Sequence, residues 1–315
     1  MYQIRTDLAL ETQEKMQEEK AELKGVSFSE EKVSPDLTIS TVVIETENGA
    51  KAMGKPRGTY ITIEAGNMDE EDENYHREIS IQLAKVIKRL MPEYRKDASI
   101  LIVGLGNRGV TPDSLGPGVV DNLCITRHII KEYGTCAFGR THMNRISSIV
   151  PGVMAQTGME SEEIVEGIVK ETHPDMVIVV DALAARNTRR LNRTIQVTDT
   201  GINPGSGVGN HRHALNRQNI GVPVLAVGVP TVVDAVLIAS DAMHNFISAM
   251  NQNREIQNLG NTFGRLDENE KYQLIRELLS PNLNTMFVTP KDIDESIKRL
   301  SYTISEGLNI AFSDA

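Results

Sequence analysis

Two uncharged runs constrain this chain more than anything else in it. Ser99-Ile-Leu-Ile-Val103 leads into Gly104-Leu-Gly-Asn107, and Met176-Val-Ile-Val-Val180 leads into Asp181. Neither run alternates polar with apolar residues, so each reads as a strand buried on both faces. Val222–Val227 is a third of the same kind. Strands of this type alternating with helical patterns indicate an α/β domain from about 95 to 250. In open α/β sheets the sites are built in loops beyond the carboxyl ends of strands. The loop after Val103 carries Asp113, hemmed by Pro112, Gly116 and Pro117, and the second strand ends on Asp181. Two strand-end aspartates are therefore the first candidates for chemistry.

The rest of the chain fills in around them. Residues 6–24 read as a helix, with Leu8, Met16 and Leu23 among Glu and Lys able to pair at i,i+4. Pro35–Glu45 and Gly58–Glu64 alternate as strands, separated by turns at Asn48-Gly49 and Gly54–Gly58. The acidic run from Met68 to Glu73 reads as a solvated loop or first helical turn, with a metal or regulatory role as the other reading. Helices are expected over 75–90, 119–133 (closed by Gly134), 161–172 and 292–308, and a strand or loop over 144–152. Thr194–Asp199 reads as a strand. Thr231 is expected to cap a helix, with Asp234 completing a capping-box variant.

Charge narrows the function. The 315 residues carry a net charge of −10, which argues against broad binding to a phosphate backbone but leaves a basic protein substrate open. Two cysteines do not make a disulfide framework in a chain this long, and suggest a reducing compartment. The first residues lack the apolar stretch of a secretory signal. The apolar tract 222–240 is broken by Pro223, Gly228, Pro230 and Asp234, so a strand, turn and helix are expected there and no membrane span.

Gly104-Leu-Gly-Asn-Arg-Gly109 matches the G-x-G-x-x-G dinucleotide pattern. The fingerprint needs a helix opening inside that loop, which Thr111-Pro112 and Gly116-Pro117-Gly118 delay, and an acidic residue about 20 positions on, which is missing. Asp113 and Asp181 could each cap a helix. Brought together they would share a proton, activating water and protonating a leaving amine, or they could hold a divalent metal. His211-x-His213 lies in a polar, glycine-rich loop and reads as a loop or substrate contact, with a metal pair as the rival; no zinc signature accompanies it. Cys124 is expected on an apolar helix face and Cys136 in a turn, both as packing residues. Ser206 does not meet the G-x-S-x-G pattern of a nucleophile elbow.

A resemblance runs through the whole chain. It is carried by Arg5-Thr-Asp-Leu-Ala9, Gly104-Leu-Gly-Asn107, Thr111-Pro-Asp-Ser-Leu-Gly-Pro117, Asp181-Ala-Leu-Ala-Ala185, Asn203-Pro-Gly-Ser-Gly-Val-Gly-Asn-His-Arg212 and Gly228-Val-Pro-Thr-Val-Val-Asp-Ala235. These segments resemble the germination proteases, spore endopeptidases that degrade small acid-soluble spore proteins and are related in fold to hydrogenase maturation proteases. The resemblance implies a mostly parallel α/β sheet with helices on both faces and an added β-rich N-terminal part. It implies an atypical aspartic-type mechanism on Asp113 and Asp181 with no cofactor or metal, and a homotetramer in the spore-core cytoplasm with neither nucleic acid nor membrane as a partner. Family substrates are cut after an acidic and before an apolar residue, in a motif like Thr-Glu-(Ile/Phe)-Ala-Ser-Glu. Thr6-Asp-Leu-Ala-Leu-Glu11 has that pattern with Leu10 as the departure, so self-cleavage is expected at Asp7–Leu8. That makes 1–7 a propeptide and 8–315 a single α/β protease domain with a C-terminal helical part from about 251. A cut after an acid asks for a cation, and Arg108, Arg140, Arg145, Arg186 and Arg212 lie on or near the site loops, with His211 beside them.

Overall fold

The computed structural model describes residues 6–18, 24–66, 68, 72–91, 97–209, 212–252, 270, 274, 277 and 286–313. Its strands form one sheet: β1 Val26–Ser34, β2 Leu37–Ile44, β3 Gly58–Ala65, β4 Ser99–Gly104, β5 Arg145–Ile149, β6 Met176–Ala185, β7 Thr194–Thr198 and β8 Val224–Asp234. Their order is β1-β2-β3-β7-β8-β6-β4-β5, with the two-residue β9 (Phe287–Val288) on β8. β8, β6, β4 and β5 run parallel. β1, β2, β3 and β7 join antiparallel, so the β-rich N-terminal part extends the same sheet and makes it mixed.

The uncharged runs behave as their composition demands. Ile100 and Ile102 of β4 face a core shared with α3 (Glu73–Leu90) and the C-terminal helix Ile293–Ser313. Leu101 and Val103, one residue out of phase, face a second core with Val165 and Val169 of α6 (Ser161–Thr172). Successive side chains of a strand point to opposite faces, so both faces of β4 are covered only if both sets are apolar. Each such fully buried side chain contributes about 1.5–3 kcal/mol.

Local departures from the expected elements have local causes. The helix expected over 119–133 is two, α4 (Leu115–Asp121) and α5 (Arg127–Tyr133). Between them Thr126 is bound to β5: its N–H donates to Ile146 O at 3.1 Å, and its hydroxyl donates to Asn144 O at 2.6 Å and accepts from Ile146 N at 2.9 Å. Cys124 consequently lies in the connection, exposed, with its N–H on Asn309 Oδ1, and not on an apolar helix face. Asn48-Gly49 is no hairpin turn but part of α2 (Glu47–Met53), capped by the Thr46 hydroxyl and closed by Gly54 at φ 60°. Thr231 caps nothing: β8 runs on to Asp234, which caps the helix Ala235–Gln252 by accepting from Val236 N. The N-terminal helix α1 is Ala9–Glu18: Thr6, Asp7 and Leu8 ahead of it are not helical and Lys24 lies in a turn, while residues 19–23, and residues 69–71 of the acidic run, lie outside the described residues. β1 escaped notice because it is largely exposed and polar, an edge strand guarded by Glu30, Glu31 and Lys32.

Candidate active site

The glycines after β4 explain how the two aspartates meet. A Cβ on Gly104 would stand 2.6 Å from the carbonyl carbon of Gly116, and one on Gly106 would collide with the Asp113 carbonyl. Gly106 also has φ +114°, a conformation L side chains rarely adopt. These glycines let the start of α4 lie directly on the end of β4 and on β6. Leu105 N then donates to Val180 O at 2.8 Å, and Asn107 N to Asp113 O at 2.9 Å. Pro112 O accepts from the Thr231 hydroxyl of β8 at 2.7 Å, which ties the Asp113 turn to a third strand.

Asp181 is only 5 % exposed and accepts from Ala182 N at 2.9 Å. Burial, followed by the charges of Asp113 and Asp7, raises its carboxyl well above the usual carboxylate range. Asp113 is raised by burial too, against the opposing pull of the Asn107 N–H. Both line one cavity of about 470 Å³, together with Asp7, Gly207, Arg212 and Thr231. The charge of Asp113 weighs on Asp181, and two carboxyls in such unequal environments can act as base and acid. Among the described residues no three His, Cys, Asp or Glu side chains converge closely enough to hold a metal ion.

The N-terminal segment is docked against this cavity. Asp7 N donates to Ala184 O at 3.1 Å, and Ala184 N returns a bond to Asp7 Oδ2 at 2.9 Å. Leu8 is fully buried among Leu183, Ala185, Leu191, Val233 and Leu237. The carbonyl of Asp7 accepts from Lys55 Nζ at 3.0 Å and from Gln196 Nε2 at 3.1 Å; Gln196 Oε1 accepts from Ala9 N at 2.7 Å. Burial lowers the Lys55 ammonium pKa, and the charges of Asp7 and Glu11 resist that. Glu11 accepts from Arg186 N at 2.8 Å, Asn187 N at 3.0 Å and the Thr6 hydroxyl, with Arg190 nearby. Arg190 also pairs with Glu14 and Glu64, each at 2.6 Å.

The arginines considered from the sequence are spread over the molecule. Arg108 pairs with Asp121 at the surface, Arg140 donates to Ser313 O and Arg145 to Asp97 O. Arg212 lines the dyad cavity, with Nη1 3.5 Å from Glu160 and 3.0 Å from Met154 Sδ. Arg186 lines a neighbouring cavity of about 400 Å³ with Lys55 and Gln196. His211 lies outside the described residues, and His213 Nδ1 is 3.4 Å from Glu162. Lys55, Gln196 and Arg190 had no local signal: none sits in a motif, and each matters only because distant strands bring it to Asp7 or Glu11. Ser206 was weighed only as a nucleophile, yet it donates to Asp7 Oδ1 at 2.8 Å.

A model of the germination protease family matches residues 4–259 and 248–315. The chain belongs to the germination protease family. It is a protease of the group named for spore germination. The germination protease of Caldanaerobacter subterraneus subsp. tengcongensis is 46% identical over 98% of this chain and 94% of its own. Those of Clostridium perfringens and Bacillus subtilis are 43% and 41% identical, each over 99% of this chain and over 95% and 94% of theirs. A [NiFe] hydrogenase maturation protease, HycI from Thermococcus kodakarensis KOD1, aligns with a TM-score of 0.33 at 16% identity, over 71% of this chain and 98% of its own.

Proposed function

We propose that this germination-family protease is an endopeptidase that adds water to a peptide bond between Asp113 and Asp181. It acts in the spore-core cytoplasm, as a homotetramer, on small acid-soluble spore proteins, cutting after an acidic and before an apolar residue. The observation that carries the reading is the convergence, in one cavity, of the two aspartates and of Asp7 from a segment with the substrate pattern. The unequal environments assign the roles. Asp113, nearer to solvent, takes a proton from water as the oxygen adds to the carbonyl carbon. Asp181, whose carboxyl burial and two neighbouring charges raise, is the proton donor and supplies its proton to the leaving amine as the C–N bond breaks. The same reaction on Asp7–Leu8 would release residues 1–7, making the chain a zymogen.

The test is cleavage of a small acid-soluble spore protein by the wild-type chain and by Asp113→Asn and Asp181→Asn, with and without chelator. Each substitution should cost at least about 10²–10⁴-fold in rate. Retained turnover in both variants would remove the dyad from the mechanism, and loss of wild-type activity on chelation would install a metal-dependent one in its place.

A further inference from the structure

Every polar group of Asp7 is engaged. Its N–H donates to Ala184 O, and its carbonyl is held by Lys55 Nζ and Gln196 Nε2 at 3.0 and 3.1 Å. Its carboxylate lies between Ala184 N at 2.9 Å and the Ser206 hydroxyl at 2.8 Å. The loop is shaped to let that carboxylate in. A Cβ on Gly207 would stand 2.8 Å from Asp7 Cγ and 2.7 Å from Ala184 Cβ, so only glycine leaves room there. The flanking turn 206–208 is set by two left-handed glycines, Gly205 and Gly209. The Lys55 ammonium is bonded to the carbonyls of Thr6 and Asp7 and not to the carboxylate. None of the arginines of the site loops touches the Asp7 carboxylate through a bond shown here; a backbone N–H and a hydroxyl hold it, as they hold many buried anions.

We infer that this cradle is the subsite for the acidic residue ahead of the cut bond, in the chain itself and in protein substrates. Ala184 N and the Ser206 hydroxyl read the carboxylate, Gly207 admits it, and Lys55 and Gln196 hold the carbonyl of the same residue. The inference rests on the proposed endopeptidase function and deepens it by naming the residues that set specificity. The arrangement favours an acid for two reasons. Both groups donate to the carboxylate, whereas a carboxamide could accept from the donor-only Ala184 N–H with its oxygen but would have to turn the Ser206 hydroxyl round to give its NH₂ an acceptor. Hydrogen bonds to a charged acceptor are also worth more than neutral ones. The neighbouring apolar residue is selected by the enclosure that holds Leu8.

The experiment uses the full chain. Release of residues 1–7 is followed by mass spectrometry in wild type, Asp7→Asn, Ser206→Ala and the double variant, with Asp181→Asn as the inactive control. Either single substitution should slow processing by about 10- to 100-fold. The double variant should be slowed by less than the product of the two single effects, because both substitutions act on the Ser206–Asp7 bond. Ser206→Ala processing at the wild-type rate, or effects that multiply in the double variant, would overturn the subsite. A readout independent of catalysis accompanies it: in the uncleaved Asp181→Asn chain, adding Asp7→Asn should speed hydrogen exchange at the Ala184 amide. Unchanged exchange would overturn the subsite on its own. A wild-type chain that never processes while the exchange effect is present would instead overturn the endopeptidase reading and leave only a docked segment.

Discussion

Replacing Gly116 by alanine sets two physical effects against each other. Gly116 lies in the first turn of α4, and in a helix alanine is favoured over glycine by about 1 kcal/mol, so propensity alone makes Gly116→Ala stabilising. Packing says the reverse. The added Cβ would stand 2.5 Å from Val180 O and 2.6 Å from Leu105 N, whereas ordinary contact begins near 3.4 Å. These neighbours, and the Leu105 carbonyl oxygen that would stand nearer still, are backbone atoms and cannot turn aside, so α4 has to retreat by about 1 Å, an overpacking that costs about 1–3 kcal/mol. The Asp113 turn is continuous with α4 and retreats with it, away from Asp181. A displacement of about 1 Å at a catalytic group can cost roughly 10²-fold in rate. Gly118→Ala is the matched control: its Cβ meets the Ser301 hydroxyl at 2.5 Å, a side-chain atom that can rotate away. The assay is cleavage rate together with the thermal midpoint of each variant. Gly116→Ala should lose about 10²-fold in rate and melt a few degrees lower, with Gly118→Ala close to wild type. A Gly116→Ala chain that melts higher and cleaves normally would refute the claim that these glycines exist for close approach.

Asp181→Asn should be more stable than wild type at neutral pH while inactive. The folded-state carboxyl of Asp181 is raised above its unfolded value, so its favourable contribution is present below the ordinary value of 3.8 and lost as pH rises through the raised one. The asparagine does not titrate, and the advantage of the variant should therefore fade as pH falls; thermal melts at pH 8 and pH 4 that show a wild-type advantage at pH 8 would contradict this. Arg190→Gln should destabilise the docking of α1 by about 3 kcal/mol, the lower end for breaking a buried pair because Glu14 and Glu64 are part-exposed. Glu11 and Glu64 are both raised by burial, so the deficit should shrink toward acid pH as they take up protons; a pH-independent deficit in chemical denaturation would count against the ion-pair account.

The parts of this architecture written in short-range patterns were readable in the sequence. An unbroken apolar run has no alternative to a doubly covered strand, and the residue ending it has to emerge at the sheet's carboxyl edge; hence β4, β6 and the aspartates they deliver. Terminal turns were read less well, because a capping residue and a strand residue can be the same threonine. Thr231 looked like a cap and is instead the tether of Pro112, a distinction made by a carbonyl 119 positions away. The acid receptor was sought among arginines, since charge complementarity is what composition can display. What meets the Asp7 carboxylate is a backbone N–H that every residue but proline carries and a hydroxyl, so no residue count could single them out. Gly207 carries the same lesson: an absent side chain is informative only once its neighbours are known.

The docking of the N-terminal segment also fixes an order of events while the chain is being made. Asp7 finds its partners 177 and 199 residues downstream, at Ala184 and Ser206, and Leu8 is enclosed in part by Val233 and Leu237. At synthesis rates of about 5–20 residues per second, that enclosure is completed roughly ten to fifty seconds after Leu8 is made. Through that interval the first residues have no groove to enter, and closing so long a loop is itself slow. The segment is thus among the last parts to settle, and a ribosome-bound chain stalled before residue 233 leaves Asp7 and Leu8 in the solvent with nothing folded to receive them.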